Sequence, residues 1–134
     1  RLDYLLPTNG PYLFVYGTYG TPREPYWGYY ATFDPNSGRL IDHLLAKEWG
    51  MGMTTLESEV STDLRIRTTQ INFFDTYRFS TPGQPLRGQR IDRYYRLTPE
   101  GKFEPERTDR YSVRPYDITE LEHTRLYETA ETPE

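Results

Sequence analysis

Residues 11–40 read PYLFVYGTYGTPREPYWGYYATFDPNSGRL, and this stretch decides the fold class. It holds two runs of aromatic and β-branched residues, 12–16 and 26–34, and glycine and proline bound each run. Aromatic and β-branched side chains pack well on a pleated surface, whereas glycine and proline favour turns. We therefore predict two strands here, followed by a hairpin turn at residues 34–38, Asp-Pro-Asn-Ser-Gly.

The second predicted strand has two faces, because successive side chains of a strand point to opposite sides. One face carries Trp27, Tyr29, Ala31 and Phe33, and the other carries Tyr26, Gly28, Tyr30 and Thr32. We expect the face with Trp27 and Phe33 to pack on the core. The opposite face, with Tyr26 and Tyr30, would then be available for contacts beyond the core.

The rest of the chain continues as short apolar runs separated by turn residues. Residues 39–49 fit the spacing of a helix as well as that of a strand, and the preceding hairpin turn favours the strand. Further strands are predicted over residues 54–60, 64–79, 90–97 and 102–113. Within 64–79 the apolar residues change parity after Thr68, which predicts a β-bulge or a bend.

These elements predict a mainly β protein with little helix. The expected architecture is a single antiparallel meander sheet, curled into a small barrel or sandwich. A chain of 134 residues suits one domain with a sizeable core. We assign residues 1–118 to a single β-rich domain and residues 119–134 to a polar, acidic C-terminal tail.

Composition excludes several classes of function. The chain has no cysteine, which excludes disulfides, thiolate metal sites and a cysteine nucleophile. Its net charge of −4 is unlike the strongly basic charge that is typical of a nucleic-acid-binding domain. No apolar run reaches the roughly 18 residues of a membrane-spanning helix. Because the chain starts at Arg1, we expect a processed or trimmed product and an extracytoplasmic, periplasmic or secreted location, although a domain boundary would also explain that start.

No pattern of residues indicates catalysis, a metal or a cofactor. The two histidines, His43 and His123, have no catalytic or zinc-binding motif around them. The predicted strands carry four carboxylates, which are explained as solvated side chains on the outer faces of the strands. They are Glu57, Glu59, Asp75 and Asp92. We therefore assign no catalytic residue, no metal ligand and no cofactor.

One short motif carries a resemblance to an enzyme family. Residues 16–20, Tyr-Gly-Thr-Tyr-Gly, resemble the Tyr-Gly-Thr-Leu loop that opens γ-glutamylcyclotransferase-like domains. In that family the backbone amides after the first strand hold the carboxylate of the substrate. The resemblance implies a small enzyme with substantial helix, whose anion-binding turn would lie at residues 16–20. The catalytic glutamate of the family, on a later segment, has no counterpart here, since no glutamate lies between Glu59 and Glu100.

The aromatic stretch itself suggests a contact surface. Tyrosine, tryptophan and arginine are enriched where binding energy concentrates. The candidate binding residues are Tyr16, Tyr19, Arg23, Tyr26, Trp27 and Tyr30. We expect a non-enzymatic binding domain that contacts an unknown protein or glycan through this surface, and the cyclotransferase-like enzyme is the alternative. A third interpretation is a structural piece of a larger assembly. For the aromatic residues themselves, the alternative is that most of them belong to the core of a tyrosine-rich sheet.

Overall fold

A computed structural model describes residues 2–8, 10–19, 26–49, 54–74, 85–117, 125–126 and 131–133. Within these ranges the chain forms nine β-strands and no α-helix. The strands are β1 (Leu2–Leu6), β2 (Leu13–Tyr19), β3 (Tyr26–Phe33), β4 (Leu40–Trp49), β5 (Thr54–Val60), β6 (Arg65–Phe73), β7 (Leu86–Leu97), β8 (Phe103–Arg110) and β9 (Arg114–Tyr116). The described part of the chain contains no helix that is long and apolar enough to cross a membrane.

The strands form one antiparallel meander sheet. Strands β1 to β8 lie side by side in chain order, and β9 pairs with the beginning of β7. The prediction of a mainly β, antiparallel meander is confirmed, and so is the strand over residues 39–49. The sheet is neither closed nor strongly curled, so the predicted curling into a barrel or sandwich is wrong. Closure requires the first and last strands to pair, and the described residues of β1 pair with β2 alone.

Local turn chemistry sets the two hairpins that were clearest in the sequence. The Asp34 carboxylate accepts a hydrogen bond of 2.8 Å from the Asn36 amide, and this bond lowers the pKa of Asp34. Gly38 closes the turn with a φ of 72°, which is a conformation that favours glycine. In the hairpin between β7 and β8, Gly101 has a φ of 87° and the Thr98 hydroxyl accepts a hydrogen bond from the Lys102 amide.

Two hydrophobic clusters stabilise the sheet. The first draws on β2, β3, β4, β6, β7 and β8, and it contains Tyr12, Phe14, Tyr30, Ala46, Ile66, Leu97 and Phe103. The second lies around β6, β7 and β9, and it contains Ile71, Phe73, Leu86, Tyr116 and Leu126. Ile66 and Ile71 differ in parity along β6, so the two clusters lie on opposite faces of this strand.

The change of parity in β6 marks this change of buried face. Thr68 and Thr69 are consecutive and both buried, one on each face of the strand. The β6 ladders with β5 and with β7 run through this point without a register shift. The predicted bulge is therefore wrong, and the alternative of a bend stays a prediction. The change of parity comes from a regular strand. Its first half buries one face in the first cluster, and its second half buries the other face in the second cluster.

The two faces of β3 are the reverse of the prediction. Tyr30 and Thr32 are buried, whereas Tyr29 is exposed. The Thr32 hydroxyl donates a hydrogen bond of 2.6 Å to the Gly101 carbonyl, and the Tyr30 ring packs 5.7 Å from that of Phe14. Contacts with residues distant in sequence thus determine which face of β3 is buried, and the size of the side chains within β3 does not.

Candidate functional site

The outer face of β1 to β4 is an apolar surface opposite the first cluster. Register pairs place Val15 beside Ala31 and Tyr19 beside Trp27 on this face. The large exposed side chains of these strands are Leu5, Leu13, Tyr19, Tyr29 and Leu40. We call this surface the open face, and it consists of Leu5, Leu13, Val15, Tyr19, Trp27, Tyr29, Ala31, Phe33 and Leu40.

A shallow groove of about 720 Å³ runs along the open face. Its lining is mostly apolar and includes Leu13, Val15, Tyr19, Tyr29, Ala31 and Phe33. Tyr19, at 71% exposure, is the most exposed large hydrophobic residue of the described chain. The groove can bury apolar surface of a partner, and the Tyr29 phenol gives it a polar group for a hydrogen bond.

The predicted binding residues divide between the two faces of the sheet. Tyr19 and Trp27 meet on the open face, with ring centroids 6.4 Å apart. Tyr16 and Tyr30 meet on the opposite face, with ring centroids 5.7 Å apart, and Tyr30 belongs to the first cluster. Tyr26 lies at the beginning of β3, but its side chain is outside the description. Arg23 lies outside the described residues.

Sequence reasoning missed several members of the open face. The sequence pattern predicted Tyr29 and Phe33 on the core face and Leu5 at the edge of the core, and Leu13 was not among the candidate binding residues. Leu5 is exposed, so that expectation is wrong. The parity of β2 offered a signal, because Leu13, Val15 and Tyr19 share one face and Phe14 and Tyr16 share the other. Which of these faces is covered depends on distant strands, so parity alone does not identify the open one.

His43 lies at the border of the open face and is exposed. Its ring is 6.3 Å from that of Tyr29, and its register partner is Ala31. Among the described residues no group of three or more His, Cys, Asp or Glu side chains is placed to hold a metal ion.

A second concave site lies where the sheet separates between β4 and β5. The described residues of these strands share one register pair, Glu48 with Leu56. Beyond that pair is a polar cleft of about 300 Å³, lined by Tyr16, Tyr30, Ala46, Lys47, Glu57, Ser58 and Arg125. The hydroxyls of Tyr30 and Ser58 are 2.9 Å apart and join β3 to β5 on one wall of the cleft.

A cluster of buried charges lies beside the second hydrophobic cluster. The Arg90 guanidinium donates to both carboxylate oxygens of Asp92, at 2.9 and 3.0 Å, and the Tyr111 hydroxyl donates to Asp92 at 3.1 Å. Burial, followed by the charge of Asp92, raises the pKa of Tyr111 to about 12. Burial and the neighbouring Glu131 carboxylate raise the pKa of Tyr116 as well. These side chains form hydrogen bonds with one another, so a structural role explains the cluster.

Two residues of the predicted C-terminal tail are packed against the sheet. Leu126 is buried in the second hydrophobic cluster, and its amide donates a hydrogen bond of 2.9 Å to Glu57. Glu131 accepts a hydrogen bond of 3.0 Å from the Tyr116 hydroxyl and lies 3.0 Å from Arg114 Nε. The boundary of the tail at residue 119 stays a prediction, since residues 118–124 lie outside the description.

The motif that resembles the cyclotransferase loop is strand in this structure. Residues 16–19 are the second half of β2, and they pair in register with residues 27–30 of β3. The amides of a strand between two neighbours are directed to its ladders, whereas an anion-binding turn needs them to converge on one point. Gly20, the last residue of the motif, lies outside the described residues.

No protein-family model, no curated protein and no solved structure matches this chain.

Proposed function

We propose that this protein is a non-enzymatic binding domain that contacts a partner protein through the open face. The observation that carries the proposal is the exposure of large apolar side chains on one contiguous sheet face, with Leu13, Tyr19 and Tyr29 along its groove. Contiguous apolar patches of this kind are uncommon on monomeric proteins and mark interaction sites.

The composition of the open face suits recognition of a protein. Tyrosine and tryptophan give large contact areas at low conformational cost, and both side chains carry a hydrogen-bond donor. Tyr19 and Trp27 form an aromatic pair at one end of the face, and the aliphatic Leu13 and Leu5 lie toward its other end. A glycan partner would use mainly the aromatic pair, whereas a protein partner would also cover the leucines.

The test compares two folded variants that remove the same kinds of side chain from different places. Leu13→Ser/Tyr19→Ser alters the open face, and Val113→Ser/Phe74→Ser alters exposed apolar residues elsewhere. Crosslinking in extracts of the source cells, followed by measured affinity for the purified partner, should show binding by wild type and by the control variant. We expect the open-face variant to bind at least about 10-fold more weakly, which corresponds to about 1.4 kcal/mol.

Equal binding by the two variants would contradict the proposal, and so would a partner that only the control variant loses. A polysaccharide that binds wild type and is lost with Tyr19→Ser but kept with Leu13→Ser would identify a glycan partner instead. Circular dichroism and urea unfolding of each variant verify that a loss of binding does not come from a loss of folding.

A further inference from the structure

We propose that the cleft between β4 and β5 is a binding site for a small anion that carries a carboxylate or phosphate group, held by Lys47 and Arg125. The site shares no lining residue with the groove of the open face, and it does not depend on the function proposed for that face. Three features support it: the separation of the strands, the lining chemistry, and a glycine that lets Tyr16 cross β3.

The separation of β4 from β5 creates the cleft. The neighbouring pairs β2–β3 and β5–β6 each keep seven consecutive register pairs, whereas the described residues of β4 and β5 keep one. Ala46 and Lys47 of β4 and Ser58 of β5 therefore face a polar space of about 300 Å³. This volume is at the lower end of small-molecule sites, which indicates a small ligand.

The charges that line the cleft favour an anion. Lys47 and Arg125 contribute two positive charges and Glu57 contributes one negative charge, in a chain whose net charge is −4. The Glu57 carboxylate also accepts the Leu126 amide, which ties that carboxylate to the C-terminal segment. An ammonium and a guanidinium make charge-assisted hydrogen bonds with carboxylate or phosphate oxygens.

Hydroxyl groups complete the lining. Ser58 and Tyr30 bring two hydroxyls within 2.9 Å of each other on one wall. Either hydroxyl can donate in that bond, and both are neutral hydrogen-bonding groups on the wall of the cleft. The cleft thus combines cationic and neutral donors, which is the donor set that an oxyanion requires.

Gly28 permits the position of Tyr16. In register, Gly28 is the partner of Lys47 on β4, and Tyr30 is the partner of Tyr16 on β2. A Cβ atom at position 28 would overlap the phenol of Tyr16, including its hydroxyl. Since only glycine lets that ring lie across β3, the sequence at position 28 places the Tyr16 phenol at the cleft.

The C-terminal segment supplies the second cation. Arg125 precedes Leu126, which is buried in the second hydrophobic cluster. The Leu126 amide bonds to Glu57, on the same strand as Ser58. Arg125 is therefore held beside the cleft by its neighbour, although it is itself exposed.

The two lysines of the chain allow a direct test. Reductive methylation with ¹³C-formaldehyde labels Lys47 and Lys102 and keeps their positive charge, so the spectrum holds two lysine signals beside that of the α-amino group. The spectrum is followed while sodium phosphate or sodium succinate is added, with sodium chloride of equal ionic strength as the reference. Lys102→Gln assigns the signals.

We expect the Lys47 signal to shift saturably with phosphate, succinate or both, while the Lys102 signal follows the chloride reference. The response to the two anions tells phosphate from carboxylate ligands. Arg125→Gln should weaken the Lys47 response at least about 10-fold, as expected for loss of a charge-assisted contact. Leu13→Ser/Tyr19→Ser should leave it unchanged, so failure of the open-face proposal and failure of this one are distinguishable.

Three results would overturn the proposal. One is a Lys47 signal that does not move with either anion, and another is a shift that the chloride reference reproduces. The third is a Lys47 response that Arg125→Gln leaves intact in a variant whose unfolding midpoint equals that of wild type.

Discussion

Thr69 on β6 and Thr32 on β3 are two fully buried threonines, and replacing each by valine should change stability in opposite directions. The Thr69 hydroxyl has no hydrogen-bond partner among the described residues. The Thr32 hydroxyl donates a bond of 2.6 Å to the Gly101 carbonyl. The substitutions share their chemistry and both replace a residue with 0% exposure, so the comparison isolates the hydrogen bond.

The magnitudes follow from the cost of a buried polar group. A hydroxyl buried without a partner costs about 1–3 kcal/mol relative to its hydrated state. Thr69→Val removes that cost, and we expect a gain of about 1 kcal/mol in the free energy of unfolding. Thr32→Val removes a hydrogen bond and leaves the Gly101 carbonyl without this donor. We therefore expect a loss of about 1–2 kcal/mol in the free energy of unfolding.

Equilibrium unfolding in urea measures both changes in the full chain. The denaturant slope m should be the same for wild type and both variants, and the midpoints should move apart on either side of wild type. A midpoint for Thr69→Val that falls as far as that of Thr32→Val would refute the reasoning. It would mean that the Thr69 hydroxyl is paired in the folded protein.

Three further predictions concern the other buried groups. Asp92→Asn removes one partner of the buried pair with Arg90 and should cost about 3 kcal/mol or more in urea unfolding, whereas Glu104→Gln, in an exposed pair, should cost less than about 1 kcal/mol. Leu126→Ala should cost about 2–4 kcal/mol, because a buried leucine leaves a cavity, and a change below about 0.5 kcal/mol would show that this segment is not packed. The folded pKa of Tyr111 is about 12 against an ordinary 10.0, so the folded state holds the proton to higher pH than the unfolded state. Stability should therefore fall by up to about 3 kcal/mol as pH rises from 10 to 12, and Tyr111→Phe should remove that part of the slope in urea unfolding measured at each pH.

The elements that the sequence predicted well are those with local causes. The turn at Asp34 depends on a carboxylate that caps the turn and on Gly38 in a left-handed conformation, and both are visible in five consecutive residues. The strand nature of residues 39–49 followed from that same turn. The order of the strands in the antiparallel sheet follows as well, because short connections join strands that are neighbours in the sheet.

The elements that were mispredicted have distant causes. The buried face of β3 depends on Gly101, which accepts the Thr32 hydroxyl across 69 positions of sequence. The parity change in β6 depends on a second cluster that includes Leu126, near the end of the chain. For the candidate site, residue type selected Tyr19 and Trp27, which lie on the open face, but also Tyr30, which is buried in the first cluster. A tyrosine suits a wet surface and a hydrogen-bonded core equally well.

The arrangement of the two clusters explains why an apolar face is left open. A sheet face that carries apolar side chains is stable when another layer covers it. In this chain the first cluster occupies one face of the early strands, and the second lies on the opposite face of β6, around Ile71 and Phe73. The members of the second cluster lie on β6, β7 and β9 and at Leu126, so this cluster does not cover Leu13 and Tyr29 on β2 and β3. Covering these residues requires a layer beyond the described strands, and that need is the physical basis for proposing a protein partner on the open face.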